Sequence, residues 1–201
     1  MKFSAILLSA GKSSRMKVNK LLLPYKNARI IDHSVDSLLA SQKINELIVV
    51  VRPDLEMNLT PHPKMKIVEN SHYQQGMSTS LKLGIQATSN DIDAYILALA
   101  DMPDITTTII DKIIQAFEES KKLITVPRYN GKNGHPVIIN KQLKEILLSQ
   151  KGDVGARYII QRYHNQINWL DLNEPSVIFD LDTLDDLQKA TQLFNKTKKI
   201  E

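Results

Sequence analysis

Cysteine is absent from these 201 residues. That one absence removes disulfides, thiolate metal sites and a cysteine nucleophile together, and it fits a cytoplasmic protein. Aromatic residues make up only 5% of the chain, and no stripe interleaves them with basic residues. Stacking on nucleic-acid bases is therefore not expected. Long apolar runs are missing too. The N-terminal run gives way to Lys12, Arg15 and Lys17, which is too short for a signal peptide or a membrane span. His33, His62, His72, His135 and His164 show no metal-ligand spacing, so a zinc site is not expected. Two glycine signatures are incomplete. Gly11-Lys12-Ser13 resembles the end of a Walker A loop, but Ile6 stands where that motif needs its first glycine. The dinucleotide pattern G-x-G-x-x-G fails around Ser13 and Arg15. Neither a P-loop ATPase nor a nicotinamide-dependent dehydrogenase is favoured. No repeat, low-complexity tract or linker divides the chain, and its length suits one α/β domain over residues 1–201.

What remains is an ordinary globular composition, with 42% hydrophobic and 24% charged residues. The formal charge of +4 suits an anionic small substrate. The cluster Lys196, Lys198, Lys199 reads as a solvated helix end. Short apolar runs alternate with helical patterns. Strands are expected at Phe3 to Ser9, Leu47 to Val51, Met65 to Val68, Ala94 to Ala100, Leu123 to Val126, Pro136 to Ile139, Ile167 to Leu172 and Val177 to Phe179. Helices are expected at Ile31 to Leu39, Met77 to Ala87, Thr106 to Phe117, Lys141 to Leu148, Gly155 to Tyr163 and from Thr183 onward. The turn-rich segment 130–134 joins two of the strands as a hairpin. Such alternation predicts a three-layer α/β/α fold with a mostly parallel sheet. In such sheets ligands bind beyond the carboxyl ends of the strands. Two places fall there, both just past a strand: Ala10-Gly11, at the start of the loop that begins with Leu8-Ser9-Ala10-Gly11-Lys12, and Asp101.

The first segment continues through Arg15 to Lys20. Small residues let the backbone approach a ligand, and free amides form an anion-binding concavity. Arg15 can clamp phosphate oxygens bidentately, and Lys20 adds a point charge. A polyphosphate is the matching ligand. The bland alternative is a βα turn with surface cations. Asp101 is a first candidate ligand for Mg²⁺, which needs only one or two carboxylates. Its alternative is a helix cap before Pro103.

The loop resembles the signature L-x-A-G-x-S-x-R-M-G-x-x-K of the nucleotidyltransferases related to molybdenum cofactor cytidylyltransferase and to MobA. Further segments match in the same order. Gly76-Met77-Ser78-Thr79-Ser80-Leu81 resembles G-M-S-x-S-L, and Leu99-Ala100-Asp101-Met102-Pro103 matches L-A-D-M-P. Gly134-His135-Pro136-Val137 matches G-H-P-V, and Gly152-Asp153-Val154-Gly155-Ala156-Arg157 resembles G-D-K-G-A-R. Asp180-Leu181-Asp182-Thr183-Leu184-Asp185-Asp186-Leu187 resembles D-I-D-T-P-E-D-L. Three positions depart from the pattern: Lys17 for glycine, Val154 for lysine and Leu184 for proline.

The resemblance implies a Rossmann-like nucleotidyltransferase fold and transfer of a nucleoside monophosphate from an NTP to a phosphorylated acceptor. Arg15, Lys20 and Asp101 are the implied catalytic set. Leu8 to Lys12, Gly76 and Ser80 would meet the nucleotide, the last two at base and ribose. Asp182 would join Asp101 on the metal, with Asp180 as the fallback; a helix N-cap is the competing role for Asp182. His135 is either an acceptor-site residue or a loop histidine. Arg157, ahead of Asp153, is the candidate for acceptor binding. Cytidylyl members tend to carry Ala-Gly in the first loop, as Ala10-Gly11 does, where guanylyl members carry Gly-Gly. The implied reaction is CMP transfer from CTP to a molybdopterin-type cofactor, with a molybdenum enzyme as a further partner. The alternatives are a guanylyltransferase, a cytidylyltransferase for a sugar or polyol phosphate, and a nucleotide-binding regulatory module without turnover.

Overall fold

The computed structural model describes residues 1–11, 19–183 and 186–187. Lys12, Arg15, Lys17, Leu184, Asp185 and the C-terminal lysines lie outside them. In chain order, β1 (Phe3–Leu8) leads to a small antiparallel hairpin, β2 (Pro24–Tyr25) and β3 (Ala28–Arg29), and then α1 (Ile30–Ala40) and β4 (Ile44–Val51). Next come β5 (Met65–Glu69), α2 (Met77–Ala87), β6 (Ala94–Leu99) and α3 (Thr107–Ser120). The rest is β7 (Ile124–Tyr129), β8 (Lys132–Asn133), β9 (Val137–Asn140), α4 (Lys144–Ser149), α5 (Arg157–Arg162) and β10 (Ile167–Asp171).

The main sheet runs β10-β7-β9-β6-β1-β4-β5, with β8 folded back on β7. Strands β6, β1, β4 and β5 are parallel, and so are β7 and β10. Strand β9 runs against both β6 and β7. The sheet is therefore mixed and mostly parallel, as the alternating pattern predicts. β1 is central, and its buried apolar run reflects cover on both faces. Phe3, Ala5 and Leu7 meet α1 and α3 on one side. Ile6 meets Leu81 and Ile85 of α2, and Leu147 of α4, on the other. Alternate side chains of one strand thus enter two separate cores, and this makes three layers.

Helix α3 shows how local sequence sets an element. Ile109, Ile110, Ile113, Ile114 and Phe117 are all buried on one face, and the Thr106 side chain caps the start by accepting from Ile109 N–H at 3.4 Å. One expectation is corrected. Val177 to Phe179 is not a strand. It lies in the 3-10 turn Pro175–Ile178 and its exit. Pro175 fixes φ and lacks a donor, which suits a helical first position. Val177 joins no ladder: its N–H donates to Glu174 O at 3.3 Å within the turn, and its carbonyl accepts from His135 N–H at 2.8 Å. Gly134 permits that approach, since a Cβ there would lie 2.3 Å from the Val177 oxygen.

Truncating Ile113, which is fully buried between α3 and the sheet, should cost about 2–5 kcal/mol. Urea unfolding of Ile113→Ala measures this; a loss well under 1 kcal/mol would contradict the packing described.

Candidate active site

A cleft of about 580 Å³ opens where β1 and β6 end. Its floor comes from Leu8, Ser9, Ala10 and Gly11 after β1, and from Leu99 and Asp101 after β6. One wall is the entry to α2, with Tyr73, Gln74, Gln75, Gly76, Met77 and Ser80. Asp153 lies on that side, and Lys20, Leu21, Asp180 and Asp182 also line the cleft. This is the carboxyl edge of the parallel strands, where the ligand rule points.

Parallel pairing of β1 and β6 fixes the floor's register, Leu8 beside Leu99. The ladder extends past the strands, with Ala100 N–H donating to Leu8 O at 3.2 Å and Ser9 N–H to Val50 O at 3.0 Å. The Ser9 hydroxyl is spent on that same Val50 carbonyl at 2.6 Å, so Ser9 serves the floor through its backbone. Asp101 follows directly. Its carbonyl accepts from Leu181 N–H at 2.9 Å, and the Leu181 side chain is 1% exposed. That anchor brings two further carboxylates beside Asp101, from Asp180 and Asp182.

Carboxylate oxygens of Asp101, Asp180 and Asp182 all lie within 4.8 Å of one another. The Lys20 ammonium is 2.8 Å from Asp101 and 2.8 Å from Asp182. Burial by itself lowers the Lys20 pKa, but the two carboxylates outweigh it and hold the ammonium above its ordinary value. Partial burial and then the charges of Asp182 and Asp101 push the Asp180 carboxyl up. These four groups sum to two negative charges. An all-oxygen donor set with that surplus fits a hard divalent cation such as Mg²⁺ or Mn²⁺. The helix-cap alternative for Asp182 is answered locally. Thr183 N–H and hydroxyl both donate to Asp186, and Asp186 N–H donates to Thr183 Oγ1 at 3.1 Å. The cap is a Thr183–Asp186 box, and the Asp182 carboxylate faces Lys20.

The opposite wall depends on Gly76. Its φ is +111°, and a Cβ there would lie 2.7 Å from the backbone of Gly152. Ser78 N–H donates to Gly152 O at 3.1 Å, and Met77 N–H donates to the Asp153 carboxylate at 3.0 Å. The loop before α5 therefore occupies the first amides of α2. Deeper in, fully buried Asn70 donates to Thr79 Oγ1 at 2.9 Å and to Ser80 Oγ at 2.8 Å. This fixes Ser80 at the cleft wall.

Of the residues singled out from sequence, Leu8, Ser9, Ala10, Gly11, Lys20, Gly76, Ser80, Asp101 and Asp182 meet in this one cleft. Lys12 and Arg15 lie outside the described residues. His135 and Arg157 are not among the lining residues. Burial lowers the His135 pKa, partly opposed by the Leu97 carbonyl and Asp101. Its backbone holds the Val177 turn that leads to Asp180. Arg157 is exposed at the first residue of α5, and Asp153 reaches the cleft instead. Tyr73, Gln74 and Gln75 carried no sequence signal beyond lying just before Gly76. Tyr73 is backed by the Arg52 guanidinium, 4.7 Å from its ring centre.

Residues 5–167 match the model of the MobA-like NTP transferase domain. The molybdenum cofactor cytidylyltransferase of Escherichia coli (strain K12) is 27% identical over 195 residues, covering 95% of this chain and 96% of that one. A probable molybdenum cofactor guanylyltransferase of Thermococcus sibiricus is 32% identical over 135 residues, 65% of this chain and 63% of its own. Among solved structures, a nucleotidyl transferase of Methanothermobacter superposes with a TM-score of 0.80 at 20% identity, covering 97% and 98% of the two chains. A Mycobacterium tuberculosis protein solved in complex with manganese superposes at 0.75 with 21% identity, covering 96% and 99%. The fold is the nucleotidyltransferase fold. Among the described residues no helix is long and apolar enough to cross a membrane.

Gly76→Ala should lower stability by about 1–3 kcal/mol, because the added methyl meets backbone at a left-handed φ. Denaturant titration tests the cost. Amide exchange at Met77 and Ser78 should rise in the variant; unchanged protection there would separate Gly76 from the loop contact.

Proposed function

This chain belongs to the MobA-like NTP transferase family and is a nucleotidyltransferase, and on that premise we propose that residues 1–201 form one catalytic domain. It transfers CMP from CTP to a molybdopterin-type cofactor and releases pyrophosphate. The observation that carries the reading is the meeting of Asp101, Asp180, Asp182 and Lys20 at the end of the first strand's loop.

The acceptor's phosphate oxygen attacks the α-phosphorus of the NTP. A new P–O bond forms as the bond to the bridging oxygen breaks, and the electron pair leaves with pyrophosphate. The second pKa of a phosphomonoester is about 6, so the attacking oxygen is already ionised at neutral pH. No strong general base is required, which agrees with the absence of a histidine among the lining residues. Positioning and charge neutralisation remain. The amides of Ala10 and Gly11, with the cations Lys12, Arg15 and Lys20, bind the triphosphate. Asp101 and Asp182 would hold Mg²⁺, which when bound would neutralise phosphate charge. Asp180 adjoins them as a third carboxylate. Gly76 and Ser80 border the base and ribose. Ser80 Oγ accepts from Asn70 at 2.8 Å, which fixes its position at the cleft wall. His135 and Arg157 are assigned to the acceptor side, Arg157 at the end of the loop that carries Asp153 and His135 ahead of β9.

Cytidine is favoured by Ala10, which is 4% exposed and backs the cleft floor, and by the near-complete coverage of the cytidylyltransferase relative. The higher identity of the guanylyltransferase relative supports a second reading, with GTP as donor. We place the reaction in the cytoplasm, in keeping with a cysteine-free chain, with hand-over of the product to a molybdenum enzyme.

Two measurements test this. Calorimetric titration with CTP and GTP in Mg²⁺ should give the tighter constant for CTP; a clear preference for GTP would move the assignment to the second reading. Asp101→Ala should lower pyrophosphate release by roughly a thousandfold or more, with an unchanged circular dichroism spectrum. Retained turnover in that variant would remove the metal-binding assignment of Asp101.

A further inference from the structure

The turn that leaves β6 carries a second carboxylate, three residues beyond Asp101. Asp104 points at the small β2–β3 hairpin rather than into the cleft. The Tyr25 hydroxyl donates to Asp104, at 2.9 Å from one oxygen and 3.1 Å from the other. The Lys26 ammonium pairs with the same carboxylate. It also lies 4.9 Å from the centre of the Tyr25 ring. Tyr25 is itself fixed: it is 2% exposed, its ring meets His33 edge-on at 5.6 Å between centres, and its carbonyl is 2.8 Å from His33 Nε2. Lys26 sits at φ +54°, a left-handed conformation that disfavours a residue with a Cβ.

This hairpin is the direct continuation of the Lys20 turn. Lys20–Leu22 is one turn of 3-10 helix, capped by Asn19 and closed by Leu23 N–H on Lys20 O. Leu21 is its one buried side chain. Leu23 in turn accepts from Ile30 N–H at 3.1 Å across the base of the hairpin. A slip of one residue moves an extended chain by about 3.3 Å, enough to take the ammonium out of reach of Asp101 and Asp182. The Asp101–Asp104 turn therefore grips the same segment twice, once at the Lys20 ammonium and once at the hairpin five residues on.

We propose that Asp104, acting through the Tyr25 hydroxyl and Lys26, is a positioning residue that sets the Lys20 turn against Asp101 and Asp182. The proposal rests on the reaction assigned above for its kinetic readout only. Its geometric content is that the Tyr25–Asp104 contact acts on the site through Lys20.

A double-mutant cycle tests that content. Tyr25→Phe keeps the buried ring and removes the hydroxyl. Asp104→Ala removes the shared acceptor, and Tyr25→Phe stands in for it if that variant does not fold. Each protein is assayed for pyrophosphate release with CTP, Mg²⁺ and acceptor, for CTP affinity by calorimetry with Mn²⁺, and for its thermal midpoint. Tyr25→Phe should lower kcat/KM roughly tenfold in the otherwise unaltered chain, as expected for a small misplacement of a catalytic group. In a Lys20→Ala background the same change should have no further effect. Equal losses in both backgrounds would overturn the proposal, as would a lowered midpoint with unaltered turnover and affinity. If the unaltered chain shows no transfer at all, the reaction assignment fails, and the cycle is then decided on CTP affinity alone. Coupling to Lys20 there upholds the positioning role, and independence from Lys20 ends it.

Discussion

Three carboxylates brought within 4.8 Å of one another repel, and the site around them has to answer that repulsion. At 4 Å two unit charges interact by about 4 kcal/mol at an effective dielectric of 20, so the cluster does not assemble by default. Three local devices hold it. Parallel pairing ends β6 beside β1 and puts Asp101 at the lip. Buried Leu181, with its N–H on the Asp101 carbonyl, drags Asp180 and Asp182 to the same place. Lys20, between two of the three, removes part of the charge. What remains is a surplus that a divalent cation relieves. In the proposed reaction the same surplus keeps the metal where a polyphosphate arrives.

The core of this arrangement is legible in residues because it lies at strand ends. Phe3 to Leu8 and Ala94 to Leu99 are short apolar runs that stop at Ala10-Gly11 and Asp101, and a parallel sheet has to collect such stops on one edge. Asp182 is different. No periodicity brings it to Asp101, and only an ordered set of motifs links them. The contact itself depends on a turn, Pro175–Ile178, which the apolar Val177-Ile178-Phe179 run disguises as a strand. Burial of Val177 is what the run encodes; the proline before it, and the demand of His135 N–H for an acceptor, decide the conformation. The Gly134-His135-Pro136-Val137 segment reads as a candidate acceptor site, yet its visible contacts clamp the segment that delivers two carboxylates. Asp153 and Arg157 show a similar limit. Sequence spacing does not say which side of a loop faces a cleft, and here the shorter side chain reaches it, while the arginine opens α5 in solvent.

The entry to α2 bears on how the triphosphate is held. A helix N-terminus above a parallel sheet ordinarily offers unpaired amides to an anion. Here Met77 N–H is taken by Asp153 and Ser78 N–H by the Gly152 carbonyl. A carboxylate already occupies the positive end of the dipole. The wall formed by Gly76 and Ser80 is therefore polar without being anion-seeking, which suits a base or ribose better than a phosphate. In the proposed reaction anion binding therefore falls to the loop after β1 and to Lys20. The charged groups divide accordingly, with Lys20 and the carboxylates of Asp101, Asp180 and Asp182 at one end, and at the other the Asp153 carboxylate already engaged by Met77 N–H. In the proposed reaction that division gives the NTP one direction in the cleft, with its phosphates toward Lys20 and its base toward the entry to α2.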